Sequence, residues 1–379
     1  MRILFCSPHP IDPRRGAAKV YIEVAAAFQR IGWDTTVLGP EETRSAAGLR
    51  AYLRAHAGHY DVVEYEHNRL PFPRRDFAAA TLLVARSVLL AHHLHARPMP
   101  PRPRLRSIVG HWLLWPARHV QWTRIVAHAN RTCREADLVN VPNTDDVAAL
   151  VAHGVPRDKI VVFPFGLTRE RREALGRAAE RPATPTVAFL GTFDPRKGMR
   201  DLPDIAARVC RLVPGARLKL LGTRGMVPDA AGVLDHFSRD IRGHVDVVPH
   251  FEPDELPALL AGCAVGVFPS AVEGFPFGVL EMLAAGLPVV AYRVPGPAAI
   301  LSDESLVPRG DTSAMAARVT AHLRDPVKLG DARRSALARA GDFAWDDIAR
   351  GTSERYERAL ADRRAGRAAG ELARGDARR

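Results

Sequence analysis

The sequence predicts an α/β chain built from two successive doubly wound domains, each a parallel sheet covered by helices. Three observations predict it. Short apolar runs alternate with stretches of helical periodicity along most of the chain. The alternation pauses in an Arg/Ala/Glu-rich, proline-ended segment and then restarts. The length, 379 residues, suits two domains that each bury a core of their own.

Taken in order, Arg2 to Cys6 is an apolar strand running into a Pro- and Gly-containing loop, Ser7 to Gly16. Val20 to Ile31 has helical spacing and stops at Gly32. Strands follow at Thr35 to Leu38, at Val62, Val63 and Tyr65, and at Thr81 to Ala85. Arg97 to Arg106, rich in proline and arginine, reads as an exposed loop, and Trp112 to Ala136 as a helix. Leu138 to Val141 is a strand, Asp145 to His153 a helix and Ile160 to Phe163 a closing strand. This gives a first domain at 1–168 and a linker at 169–184. The second domain, 185–345, begins with the strand Thr186 to Leu190. It continues with a helix at Asp201 to Leu212, strands at Arg217 to Leu221 and Val245 to Val248, and a short helix at Pro253 to Ala261. A strand at Ala264 to Phe268, a helix at Phe277 to Ala285 and a strand at Pro288 to Tyr292 complete the pattern, with a further helix at Thr312 to Leu323. A helix at 346–361 is expected to pack back on the first domain, and the basic tail 363–379 to be disordered.

Composition narrows the class. Apolar residues make up 47% and charged residues 25%, the balance of a globular chain. Cys6, Cys133, Cys210 and Cys263 have no metal-ligand spacing and read as small buried hydrophobes. The N-terminal apolar run is too short for a signal peptide and no stretch has the length of a membrane span, so a cytoplasmic chain is expected. The net charge of +12 favours anionic partners but also follows from an Ala/Arg-rich composition, and no nucleic-acid motif is present.

The chemistry concentrates in Phe268-Pro-Ser-Ala-Val-Glu273-Gly-Phe-Pro-Phe-Gly-Val-Leu-Glu281-Met-Leu-Ala-Ala-Gly286, read as strand, loop and helix. Gly274 and Gly278 allow close backbone approach to a ligand. The helix begins near Phe277, so its positive end can face a diphosphate. A carboxylate beside such a loop suits a ribose diol. The bland alternative is a surface Glu273 and a first-turn Glu281 that complements the helix dipole.

With its flanks, this segment resembles the Glu-x7-Glu signature of retaining family-4 glycosyltransferases of GT-B fold, two Rossmann-like domains facing a central cleft. The resemblance implies that Glu281 binds the donor ribose, and that Glu273 with the amides of Gly274, Phe275 and Phe277 addresses the donor sugar and diphosphate. Gly191-Thr-Phe-Asp-Pro-Arg196-Lys197-Gly198 is similar to the family's Gly-Arg…Lys-Gly loop, which assigns Lys197 to the diphosphate. Thr192 stands where the family has Arg, and Arg196 is a candidate to supply that charge. The resemblance places His250 and Phe251 beside the base and Gly16 near the diphosphate. Lys197, Glu273 and Arg196 are the catalytic candidates. Asp61-Val-Val-Glu-Tyr-Glu66-His67 and Leu83-Val-Ala-Arg86-Ser87 resemble family strands on the acceptor side, where Val88 replaces a usual His. Glu66, His67, Arg86, His92 and His93 are the acceptor-side candidates.

The implied activity is transfer of a hexosyl group from a nucleoside-diphosphate sugar to an unnamed acceptor with retention, without metal or cofactor. Front-side attack would let the leaving phosphate take the acceptor proton. Two alternatives stay open: a GT-B enzyme such as a sugar-nucleotide epimerase, and a basic membrane-surface protein with a degenerate donor site. The second rests on Arg102, Arg104 and Arg106 beside Trp112, Trp115 and Trp122, which would also allow peripheral contact at the inner membrane face.

Overall fold

The computed structural model describes residues 1–12, 16–68, 74–78, 80–96, 105–180 and 183–376. The chain divides into two units: Met1–Ala96, Pro101–Phe165 and Trp345–Arg379 form the first, and Gly166–Ala344 the second.

The first unit holds strands β1 (Arg2–Cys6), β2 (Asp34–Leu38), β3 (Val62–Glu66), β4 (Leu82–Arg86), β5 (Leu138–Val141) and β6 (Ile160–Val162). Every pairing is parallel, in the order β2-β1-β3-β4-β5-β6. β1, β4 and β5 are mostly apolar, and β3 is buried throughout although it carries Glu64 and Glu66, because both faces of a parallel sheet are covered. One face packs Leu4, Leu53, Leu83, Val139 and Leu150 into a core. On the other, the helix Gly16–Arg30 meets the helix that starts at Trp345. Phe28 stacks on Tyr356 at 6.3 Å, and Trp345 Nε1 donates to Glu23 Oε2 at 2.7 Å.

The second unit holds β7 (Thr186–Leu190), β8 (Arg217–Leu221), β9 (Val245–Val248), β10 (Val265–Phe268), β11 (Val289–Tyr292) and β12 (Leu306–Val307). They are parallel in the order β12-β11-β10-β7-β8-β9. Connections therefore run outward in opposite directions from β7 and β10. The carboxyl ends of these two strands form the switch point where doubly wound sheets bind ligands.

Several elements depart from the sequence expectation. In the stretch 169–184, expected to pass from helix into linker, a helix, Arg169–Gly176, and a 3₁₀ turn, Arg177–Glu180, occupy more of the segment than a linker would. Thr168 caps that helix by accepting from Arg171 N at 3.2 Å. The last helix runs Trp345–Asp376, well past 361, where a disordered tail was expected. Alanine, arginine and glutamate are strong helix formers, no proline interrupts them, and extending an anchored helix is far easier than nucleating one. Residues 377–379 lie outside the described residues, as do 97–104 of the expected exposed loop. Leu105 and Arg106 belong instead to the helix Leu105–Glu135. Arg102 and Arg104 of the basic, Trp-bearing stretch are likewise outside the description. Among the described residues no helix is long and apolar enough to cross a membrane.

Candidate functional site

At the switch point of the second unit, the loop after β7 and the loop after β10 lie against each other. Gly198 has φ +90°, and a Cβ there would stand 2.5 Å from the Pro269 carbonyl oxygen. Gly278 opens the helix Phe277–Ala284 against β7, where a Cβ would meet the Leu190 carbonyl oxygen at 2.9 Å. These two glycines allow three backbone segments to converge.

Asp194 shapes the first loop. Its Oδ1 accepts from Arg196 N at 2.9 Å and Lys197 N at 3.1 Å, and its Oδ2 accepts from the Thr192 hydroxyl. Thr192, which departs from the family's Arg, thus helps fix the turn that presents the next two cations. Lys197 Nζ lies 2.6 Å from Glu273 Oε1, and Arg196 Nη1 lies 3.2 Å from the same oxygen. Arg196 also donates to the Val272 carbonyl at 3.3 Å, and Lys197 Nζ sits 5.2 Å from the Phe268 ring centroid. Glu273 is buried, so one carboxylate faces two cations in a largely dry setting. The two cations that share Glu273 lie beside the positive end of the helix Phe277–Ala284, whose Ncap residue, Pro276, makes no side-chain cap. The arrangement can exchange a protein carboxylate for a bound anion.

Glu281 lies in that same helix and is buried with Val279, Leu280, Met282 and Leu283. Its Oε1 accepts from Arg171 Nη2 at 2.9 Å and Nε at 3.3 Å. Arg171 Nη1 donates to the Pro253 carbonyl. Sequence reasoning missed Arg171, because the pattern around it is polar and reads as linker; the Thr168 cap was its one local signal. His250 is exposed, with Nε2 3.3 Å from Glu252 Oε1. Phe251 lies over Gly222 at the end of β8, where a Cβ would meet the ring at 3.2 Å. Gly191 ends β7 with φ +153°. The structure therefore groups Arg196, Lys197 and Glu273, and places Glu281 on the helix that opens beside them.

The remaining candidates belong to the first unit. Gly16 opens the helix Gly16–Arg30. Arg86 is 1% exposed and forms an ion pair with Glu64, which also accepts from the Tyr356 hydroxyl at 2.6 Å. Asn140 Nδ2 donates to that hydroxyl at 3.0 Å. Glu66 accepts from the Tyr21 hydroxyl at 2.9 Å and from His67 Nδ1 at 2.6 Å. His67 Nε2 takes the Ala91 N–H at 3.3 Å, which assigns the ring proton to Nδ1. His92 Nε2 faces Asn130 Oδ1 and His93 Nε2 faces Asp146 Oδ1, each at 2.8 Å. Burial pushes His92 down to about 4 and moves the Asp146 carboxyl above its ordinary value. All five acceptor-side candidates are buried and committed to internal partners. Glu66 also borders a cavity of about 230 Å³, with Ser7, Leu38, Arg44 and Ser45. Arg44, on the rim of that cavity, has a left-handed backbone at φ 56°. Burial raises the Cys6 and Cys133 thiols to about 12, which leaves them inert.

Residues 184–325 match the family model described as glycosyl transferases group 1. The D-inositol 3-phosphate glycosyltransferase of Mycobacterium marinum is 29% identical over 360 residues, covering 91% of this chain and 73% of that protein. Among solved structures, sucrose-phosphate synthase from Thermosynechococcus elongatus superposes with a TM-score of 0.73 at 18% identity, covering 95% of this chain and 99% of that one. Anabaena HepE in complex with UDP-glucose gives 0.67 at 18% identity, covering 94% and 99%.

Proposed function

Since residues 184–325 are a group 1 glycosyltransferase domain in a chain of GT-B fold, we propose that this protein moves a hexosyl group from a nucleoside-diphosphate sugar to an acceptor hydroxyl with retention of configuration. The observation that carries the reading is the pairing of Lys197 and Arg196 on Glu273 at the switch point of the second sheet. A diphosphate arriving there takes over the two cations and the helix end, and Glu273 is released toward the hydroxyls of the transferred sugar. Glu281 receives the ribose. As the glycosidic bond breaks, negative charge grows on the departing phosphate. Lys197 and Arg196 stabilise that charge, the phosphate oxygen accepts the acceptor's proton, and the new bond forms on the same face. The protein supplies its own cations at the diphosphate, so the transfer needs no divalent metal. UDP is the first nucleotide to try because HepE was solved with UDP-glucose, and D-inositol 3-phosphate is the first acceptor to try because the curated relative is named for it.

Thermal unfolding with UDP, GDP, ADP, dTDP and CMP sugars, wild type beside Glu281→Ala, tests the reading. One base class is expected to stabilise the wild type, by about 2.7 kcal/mol at a hundredfold excess over Kd, and to leave the variant unshifted. No shift with any nucleotide would refute the donor site.

A further inference from the structure

We propose that Arg171 is a positioning residue of the nucleotide site, which sets the Glu281 carboxylate for a ribose diol and ties it to the loop after β9. The inference rests on the donor reading above. Arg171 comes from the helix Arg169–Gly176, 110 residues before Glu281. Its Nε and Nη2 both fall on Glu281 Oε1, while Nη1 reaches the Pro253 carbonyl. The two side chains are only 13% and 11% exposed.

The terminal torsion of a glutamate is soft, so helix position alone does not decide where its oxygens point. Two guanidinium nitrogens on one oxygen remove that freedom. The third contact ends on the backbone of the segment that begins with His250 and Phe251, the residues assigned to the base. One rigid planar group therefore registers the ribose carboxylate against the base side of the site. A lysine would bring the charge without the fork. A role limited to holding the helix in place would weaken every nucleotide alike, whereas positioning Glu281 affects only those that carry ribose hydroxyls.

The test is calorimetric titration of the full chain with UDP and with 2′,3′-dideoxy-UDP, or the matching GDP or ADP pair if that base stabilises the protein more. The wild type is expected to prefer the hydroxylated nucleotide by about tenfold or more, the scale of hydrogen bonds to a charged group. Arg171→Met should shrink that preference to about threefold or less while dideoxynucleotide affinity stays near wild type. In a Glu281→Gln background the same change should add nothing further. If Arg171→Met fails to fold, Arg171→Lys, which keeps the charge, should fold and show an intermediate preference. An unchanged preference in the variant that folds, or an equal loss for both nucleotides, overturns the inference. A wild type that binds none of the nucleotides refutes the donor reading itself, and this inference with it. A wild type that binds both members of a pair equally removes the ribose contact from Glu281 and overturns the inference as well.

Discussion

Two cations share one oxygen of Glu273, but they are not equivalent. Lys197 is closer than Arg196, 2.6 Å against 3.2 Å, and its side chain is less exposed, 17% against 33%. Charge stabilisation grows as water is excluded, so Lys197 should carry more of the leaving-group effect. Lys197→Ala is expected to lower kcat by about 10²–10³, and Arg196→Ala by less. Steady-state kinetics with the donor found by thermal unfolding checks this, and near wild-type turnover in Lys197→Ala would discard the assignment. His92 makes a separate prediction about stability. Burial, reinforced by His153, His67 and His93 and opposed by the hydrogen bond to Asn130, lowers it from 6.5 to about 4. Between those values the unfolded chain binds a proton that the native chain does not, so stability rises with pH through this window. The contribution is complete above 6.5 and is lost as the pH falls toward 4. Urea midpoints at pH 5 and pH 7 should therefore lie closer together in His92→Gln than in the wild type.

At the scale of elements, the last helix is held to the first unit by more than apolar packing. Tyr356 is fully buried and its hydroxyl joins Asn140 on β5 to Glu64 on β3, which pairs with Arg86 on β4. Three neighbouring strands and one helix thus close around a single polar cluster. Tyr356→Phe leaves the Asn140 amide and a Glu64 oxygen each with one partner fewer in a dry interior, at a cost of about 1–3 kcal/mol. Arg86→Met leaves the Glu64 charge uncompensated and should cost more, about 3–5 kcal/mol. Equilibrium urea unfolding of the two variants gives the order, and a more stable Arg86→Met would show that burying this pair is a net burden. In the second unit the helix Phe277–Ala284 serves packing and site together. Its apolar residues from Val279 to Ala284 are buried and its first turn lies at the β7/β10 switch point.

Over the whole molecule, the net charge of +12 says little about partners, since arginine is spread along the entire chain. In the proposed reaction what matters is the local pair Arg196 and Lys197, which takes the place of a divalent metal at the diphosphate. Turnover should accordingly persist in excess EDTA, with the rate unchanged when Mg²⁺ or Mn²⁺ is restored. A rate abolished by EDTA and recovered with metal would reassign the leaving-group chemistry.

The sequence by itself determined the parallel α/β class and nearly every strand, because strands covered on both faces read as short apolar runs between turns. It also determined the loop-and-helix segment around Glu273 and Glu281, because glycines and carboxylates at that spacing are local properties. Tertiary structure decided who pairs with whom. Arg171 meets Glu281 across 110 residues, and no periodicity reports that contact. Arg86, His67, His92 and His93 are acceptor-side candidates in the sequence, yet they are buried, because the fold brings them partners: Glu64 and Glu66 on β3, Asn130 on the helix Leu105–Glu135 and Asp146 on the helix Thr144–Ala152. Burial of a charged or polar side chain depends on a partner that the packing of strands and helices brings to it, and that packing is not written in any single segment.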